Sequence, residues 1–144
     1  MDHLMKYIIK TSRCFTIYRG SRLPVESLEP HRHVYILRIC QNPGLSQEKL
    51  SKILFINKSN VARQLNVLER DGFIIRKPAE NDRRQLLVYP TENAKKIYPK
   101  IIEANREWDE DLLSDISSED RKKLITMLET ITEKAEKKIQ ETEY

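Results

Sequence analysis

The chain has 144 residues, 33% charged and 39% hydrophobic, with a formal net charge of +4. That length suits one ordinary domain with a helical appendage, and only three glycines exclude repeated glycine-rich phosphate loops. No apolar run approaches the ~20 residues a membrane helix needs, and Met1-Asp2-His3-Leu4 does not begin a secretory signal. No membrane partner is therefore expected, and the cytoplasm is the default location. Two cysteines, Cys14 and Cys40, make no disulfide framework. The charge is uneven. Residues 31–91 carry eleven Lys/Arg against five Asp/Glu, whereas residues 92–144 carry ten against fourteen. A basic centre beside an acidic C-terminal segment suggests an anion-binding lobe joined to a segment with another task.

Residues 4–18 place Leu4, Ile8, Thr11, Phe15 and Tyr18 at helical spacing, and Met5 and Ile9 widen the stripe. Gly20 and Pro24 are expected to end that helix. Pro30 opens the next helical stretch, where Val34, Leu37 and Cys40 share a face, and Asn42-Pro43-Gly44 turns out of it. Ser46 is placed to cap a short helix that buries Leu50, Ile53 and Leu54. Ile56-Asn57 is a tight connection, and Asn57 can cap a helix running to the neighbourhood of Asp71. That helix buries Val61, Leu65 and Leu68, and Gly72 stands where a C-cap is expected.

Residues 73–77 and 85–89 are β-prone runs, and the polar stretch from Pro78 to Arg84 between them predicts a hairpin with a long charged tip. Thr91 can cap a long helix carrying Ala94, Ile97, Tyr98, Ile101, Ile102, Trp108 and Leu112. Pro99 lies inside it, and an interior proline removes a hydrogen bond at a cost of roughly 3 kcal/mol, so a kink is expected there. Ser117 with Asp120 three residues on resembles a capping box. The last helix carries Leu124, Leu128, Ile131, Ala135 and Ile139.

Helix, short helix, tight turn, helix, hairpin is the order of a winged helix-turn-helix. The predicted fold is mainly α with a small β-hairpin: residues 1–29 as N-terminal dimerisation helix and connector, 30–90 as the winged lobe, and 91–144 as C-terminal linking and dimerisation helices. A major groove admits one helix, braced by the helix before it. Residues 57–71 direct Lys58, Ser59, Asn60, Arg63, Gln64, Asn66 and Val67 outward. Arginine, asparagine and glutamine suit base edges, while lysine and serine suit phosphates. Taken alone, such a helix reads equally well as a solvated amphipathic face. The hairpin tip, Asn81-Asp82-Arg83-Arg84, tips the balance toward double-stranded DNA. Arginine inserted into a narrow minor groove meets an enhanced negative potential, and Asp82 is placed to hold a guanidinium in a bidentate pair.

With those residues in place, the sequence resembles the MarR family (multiple antibiotic resistance regulators), with features of its SlyA-like branch. The resemblance is carried by residues 34–44, by Leu45-Ser46-Gln47-Glu48-Lys49-Leu50, and by Leu68-Glu69-Arg70-Asp71-Gly72-Phe73-Ile74. The family's Asp-x-Arg falls on Asp82 and Arg84, and its strand-ending Thr on Thr91. The resemblance implies a homodimeric transcriptional regulator whose terminal helices form the dimer interface, here Leu4, Ile8, Phe15, Leu124, Leu128, Ile131 and Ala135. It also implies release of DNA on binding a small organic effector, often an aromatic acid, and Arg32 and His33 lie near where relatives place the ligand crevice.

Other chemistries are weighed against these. His31 and His33 are two residues apart and point to different helix faces, so no metal site is expected. Cys14 could serve a thiol-based redox sensor, but sensing needs a lowered thiol pKa and access, and Arg13 beside it in sequence does not face it on a helix. A packed, inert cysteine is the simpler reading. No Ser-His-Asp arrangement, paired-carboxylate motif, HExxH or Walker loop is present, so no catalytic residues or cofactor are expected. A purely helical protein-interaction module without DNA binding remains the alternative.

Overall fold

A computed structural model of the chain describes residues 3–23, 25 and 28–142. The expected helix breaker Pro24 lies outside the described residues. The elements in chain order are α1 (Leu4–Arg22), a 3-10 turn (Pro30–Arg32), α2 (His33–Gln41), β1 (Leu45–Ser46), α3 (Gln47–Leu54), α4 (Lys58–Arg70), β2 (Ile74–Pro78), β3 (Leu86–Pro90), α5 (Glu92–Leu112) and α6 (Ser118–Gln140). The chain divides into two compact units, Met1–Arg106 and Glu107–Tyr144.

In the first unit, Leu28, Tyr35, Ile36, Ile39, Leu50, Val61, Leu65, Leu68, Phe73, Ile74, Val88, Ala94, Ile97 and Ile101 make one buried core. α1 does not stop at Gly20 but runs on to Arg22. Gly20 serves packing instead, because a Cβ there would stand 2.7 Å from Pro30 Cγ. α2 buries His33, Tyr35, Ile36 and Ile39. The expected face of Val34, Leu37 and Cys40 is only half-buried, packed against the rim of the core.

Ser46 Oγ accepts the Lys49 N–H at 3.0 Å and starts α3 as expected. α3 buries Leu50, but Ile53 is 42% exposed, contrary to expectation. Phe55 takes a left-handed conformation at φ 53°, and Ser51 Oγ donates to the Ile56 carbonyl at 2.6 Å. These close the turn into α4, whose first N–H groups are met by Asn57 Oδ1 accepting from Asn60 N–H at 2.8 Å. Val61, Leu65 and Leu68 face inward at helical spacing. Gly72, at φ +82°, ends α4 as the left-handed C-cap glycine. The Phe73 N–H reaches the Leu68 carbonyl and the Gly72 N–H reaches Glu69, the paired bonds of a Schellman motif.

The wing is more than a hairpin. β2 and β3 pair antiparallel with Arg76 opposite Val88, and the two-residue β1 adds a third strand, Leu45 opposite Val88. The sheet order is β1-β3-β2. A two-residue strand that doubles as a helix cap leaves no periodicity to read. Thr91 Oγ1 donates to the Gly72 carbonyl at 2.6 Å, tying the end of β3 to the end of α4. α5 buries Ala94, Ile97, Ile101 and Ala104, and runs on through Pro99 as one helix. Pro99 is exposed, so the carbonyl it leaves unpaired can bond to water.

In the second unit, Ser117 Oγ accepts the Asp120 N–H at 3.2 Å and caps α6. None of α6's residues is buried, and Leu124, Ile125, Met127, Leu128, Ile131 and Ile139 are all exposed. Among the described residues, no helix is long and apolar enough to cross a membrane.

Candidate nucleic-acid interface

The predicted groove-facing residues lie together on the outer side of α4. Lys58, Ser59, Arg63 and Asn66 are exposed, and Asn60, Gln64 and Val67 are half-exposed. Several are already held by their neighbours. Lys58 Nζ contacts Glu48 Oε1 at 3.1 Å, and that hydrogen bond holds the Glu48 carboxyl below its ordinary pKa. Ser59 Oγ donates to Asn57 Oδ1 at 2.9 Å. Asn60 Oδ1 accepts from Arg63 Nη2 at 3.1 Å and from Gln64 Nε2 at 3.3 Å. The helix thus presents a pre-bonded polar surface, with lysine and serine at its N-terminus, where unpaired N–H groups favour anions.

The wing tip carries Asp82, Arg83 and Arg84, all exposed. Asp82 does not grip a guanidinium. Its Oδ1 accepts the backbone N–H of Arg84 at 3.0 Å, while its carbonyl accepts the Gln85 N–H at 3.0 Å. The shorter reach to its own backbone wins over a bidentate pair, as is usual for aspartate in a turn. Neither Arg83 nor Arg84 has an acidic partner among the described residues. Arg84, Asp82, Lys58, Glu48, Gln47, Gln85 and Leu86 line one open cleft, so the wing tip and the start of α4 border the same space.

Two groups at this interface have no clear signal in the sequence. Arg76 on β2 reaches across to α4, where Nη2 donates to Asn66 Oδ1 at 2.6 Å and to Glu69 Oε1 at 3.0 Å. Its Nη1 donates to Gln47 Oε1 at 3.3 Å. The alternation of β2 puts Arg76 on the face of buried Ile74, the one hint that it needs acceptors within the fold. The second is Arg32, whose Nε donates to Gln64 Oε1 at 2.9 Å.

The expected crevice residues sit differently from each other. Arg32 is half-exposed and turned to α4, whereas His33 is fully buried. Burial first, then the positive charges of Arg19 and His31, lowers the His33 pKa to about 4. Arg19 is also buried, its guanidinium 4.4 Å from the centre of the Phe15 ring, and burial lowers its pKa. Arg19 Nε, both ring nitrogens of His33 and Tyr35 Oη are buried with no hydrogen-bond partner among the described residues. Of the expected dimer residues, Leu4, Leu124, Leu128, Ile131 and Ala135 are exposed, while Ile8 and Phe15 are half-buried. Cys14 is exposed on α1 rather than packed as expected, and Cys40 is half-buried, both as free thiols; burial pushes the Cys40 pKa up. Among the described residues, no cluster of three or more His, Cys, Asp or Glu is arranged to hold a metal ion.

The geometry has close relatives. The MarR family pattern matches residues 27–85. The uncharacterized HTH-type transcriptional regulator YybA of Bacillus subtilis is 31% identical over 106 residues, spanning 74% of this chain and 71% of that protein. The crystal structure of an uncharacterized SlyA-like transcription regulator from Listeria monocytogenes matches with a TM-score of 0.92 at 26% identity, covering 100% of this chain and 98% of that one. A MarR family transcriptional regulator from Listeria monocytogenes, complexed with 26mer DNA, matches with a TM-score of 0.89 at 26% identity, covering 100% of this chain and 98% of the other. Six helices and a three-stranded wing in this order, together with these relatives, make the chain a member of the MarR family of winged helix-turn-helix transcriptional regulators.

Proposed function

We propose that the protein binds double-stranded operator DNA as a homodimer, with α4 in the major groove and the wing in the adjacent minor groove. The observation that carries this reading is the pair of exposed wing-tip arginines, Arg83 and Arg84, without acidic partners among the described residues. Arg84 borders one cleft with Lys58 at the start of α4. A positive ribbon beside a helix N-terminus suits a phosphate backbone passing between them. The related Listeria protein complexed with 26mer DNA supports the same use of the fold. Asn60, Arg63 and Gln64 carry base choice, Lys58 and Ser59 contact phosphate, and Arg84 enters the minor groove while Arg83 reinforces it.

Homodimerisation is supported by apolar residues left exposed on α1 and α6, among them Leu4, Leu124, Leu128 and Ile131. Two-fold symmetry of the protein asks for a pseudo-palindrome with half-sites about one helical turn, ~10 bp, apart. A small organic acid as effector is supported by the buried, unpartnered polar atoms of Arg19, His33 and Tyr35, because such groups favour a ligand that satisfies them. Its effect on DNA is bounded by its differential affinity for the two dimer states. The cytoplasm is the compartment that such a partner implies.

Selection of bound duplexes from a randomised pool, followed by titration at several salt concentrations, tests the reading. Arg84→Ala should lower the salt slope of log affinity by about 1 per subunit. Arg63→Ala should cost ~1–3 kcal/mol and relax preference at one position per half-site. Failure to enrich any duplex would overturn the proposal.

A further inference from the structure

Gln64 stands four residues after Asn60 on the outer side of α4, and both ends of its amide are engaged. Its Oε1 accepts from Arg32 Nε at 2.9 Å and lies 3.3 Å from His31 Nε2. Its Nε2 donates to Asn60 Oδ1, which also accepts from Arg63 Nη2. The direction of this chain is forced by chemistry. A guanidinium has donors and no acceptor, so the Gln64 atom facing Arg32 is the oxygen, and the nitrogen turns to Asn60. The Arg63 guanidinium orients the Asn60 amide in the same way.

An amide oxygen has two lone pairs; Asn60 Oδ1 meets two donors, and Gln64 Oε1 meets Arg32 Nε and, in the Nε2–H tautomer of His31, a second. The carbonyl oxygens of Asn60 and Gln64 are therefore both occupied within the protein. What this trio leaves for a partner is N–H only: the second hydrogen of Gln64 Nε2, the Asn60 Nδ2 group and the unused donors of Arg63. Among the described residues none of these has another acceptor.

We infer that Arg32, with His31 beside it, makes the Asn60–Arg63–Gln64 patch of α4 a donor-only surface that selects guanine, so that Arg32 is a specificity-determining positioning residue although it lies outside α4. The inference rests on the reading of α4 as the helix that enters the major groove. Guanine is the one base whose major-groove edge presents two acceptors, N7 and O6. Adenine needs a side-chain carbonyl to accept from its N6 amino group, and cytosine offers a donor that meets only donors. Without Arg32 and His31 the Gln64 oxygen becomes available, and the glutamine can pair with adenine through N6 and N7.

The test is selection of duplexes from a randomised pool by the full-length protein and by Arg32→Ala, His31→Ala/Arg32→Ala, Arg32→Lys and Gln64→Ala. Thermal unfolding and sedimentation confirm that each variant is folded. The wild type should favour guanine over adenine by about fivefold or more at the half-site position that Gln64→Ala alters. The double variant should lose that preference and move toward adenine, and Arg32→Ala should move in the same direction. Arg32→Lys, which keeps a donor, should retain guanine. If the double variant keeps the wild-type base profile and binds every sequence more weakly, Arg32 supplies only charge and the inference is wrong. A wild type that prefers adenine or cytosine at that position overturns it without any variant. A wild type that enriches no duplex overturns the DNA-binding reading itself, which is a different failure.

Discussion

Arg76 and Glu69 lock the wing to α4. The Arg76 guanidinium meets Glu69 Oε1 at 3.0 Å and Oε2 at 3.2 Å, and the Arg76 backbone N–H also donates to Oε2 at 3.1 Å. The Arg76 side chain is only 14% exposed, against 41% for Glu69. One arginine thus spans β2, α4 and, through Gln47, the start of α3. On the proposed mode of DNA binding, the groove and wing contacts are made together, and this bridge sets their relative placement.

Arg76→Ala should therefore lower stability by about 1 kcal/mol, because the freed acceptors are exposed enough to hydrate. It should weaken DNA binding beyond the loss of one charge. Arg76→Lys should rescue neither, since an ammonium cannot reproduce the planar fork. The hydrogen bond from Arg76 lowers the Glu69 pKa against an opposing desolvation. A lowered carboxylate pKa contributes stability above the unfolded value, about 4.3, and that contribution is lost as pH falls through the folded value. The stability gap between wild type and Arg76→Ala in urea unfolding should accordingly narrow in strong acid, leaving the part that the neutral amides of Asn66 and Gln47 contribute. A constant gap between them at all pH values would refute the assignment.

The exposed apolar face of α6 leads to a second expectation. Leu124, Leu128 and Ile131 are each more than a third exposed on the isolated chain, too much apolar surface on one helix to leave in water without a partner. Leu128→Glu should leave the winged lobe folded and shift the protein to monomer in sedimentation. DNA affinity should fall with it, since one lobe reads only a half-site. A variant that remains dimeric would place the interface elsewhere.

How far the fold was legible depended on the range of each signal. Ser46, Asn57 and Ser117 cap helices through bonds spanning three residues, and the Val61-Leu65-Leu68 stripe repeats within one helix, so local chemistry suffices to find them. Gly20 misled because a glycine that admits a neighbouring proline looks the same in sequence as one that ends a helix. On α2 the buried stripe is offset by one residue from the one the sequence suggests: Tyr35, Ile36 and Ile39 go inward, and the neighbouring Val34, Leu37 and Cys40 cover the rim. The α4 face and the arginine-rich tip were legible from residue type and order. The Arg32–Gln64 bond joins residues 32 apart, and Arg76 joins Gln47 from 29 apart. Only the folded chain brings such pairs together.

His33 gives a third expectation. It is fully buried, faces the positive charges of Arg19 and His31, and has its pKa lowered from 6.5 to about 4. The unfolded chain binds this proton more readily, so stability is complete above about pH 6.5 and is lost as pH falls toward about 4. The loss attributable to His33 should reach about 2 kcal/mol by pH 5. His33→Gln should flatten this part of the profile in urea titrations at pH 7.5 and 5. A slope that survives the substitution would assign the acid sensitivity to other groups.

Asp82 offers the clearest separation of charge from shape. Its carboxylate accepts the Arg84 N–H and so folds the tip, while its negative charge stands beside the cations that are to meet phosphate. Asp82→Ala removes both. Electrostatics alone predicts tighter binding, and loss of the turn predicts weaker binding, because a floppy Arg84 must be ordered on binding. One such bond is worth about 0.5–1.5 kcal/mol, whereas a solvent-exposed like charge is screened within about 10 Å at 0.1 M salt. Shape should therefore win at moderate salt, and Asp82→Ala should bind more weakly with dimer stability unchanged. Asp82→Asn keeps the side-chain oxygen that accepts the Arg84 N–H and removes the charge, so it should bind at least as tightly as wild type. Titrating the three proteins against the same duplex at two salt concentrations decides between them. If alanine and asparagine behave alike at both, Asp82 acts through its charge and not through the turn.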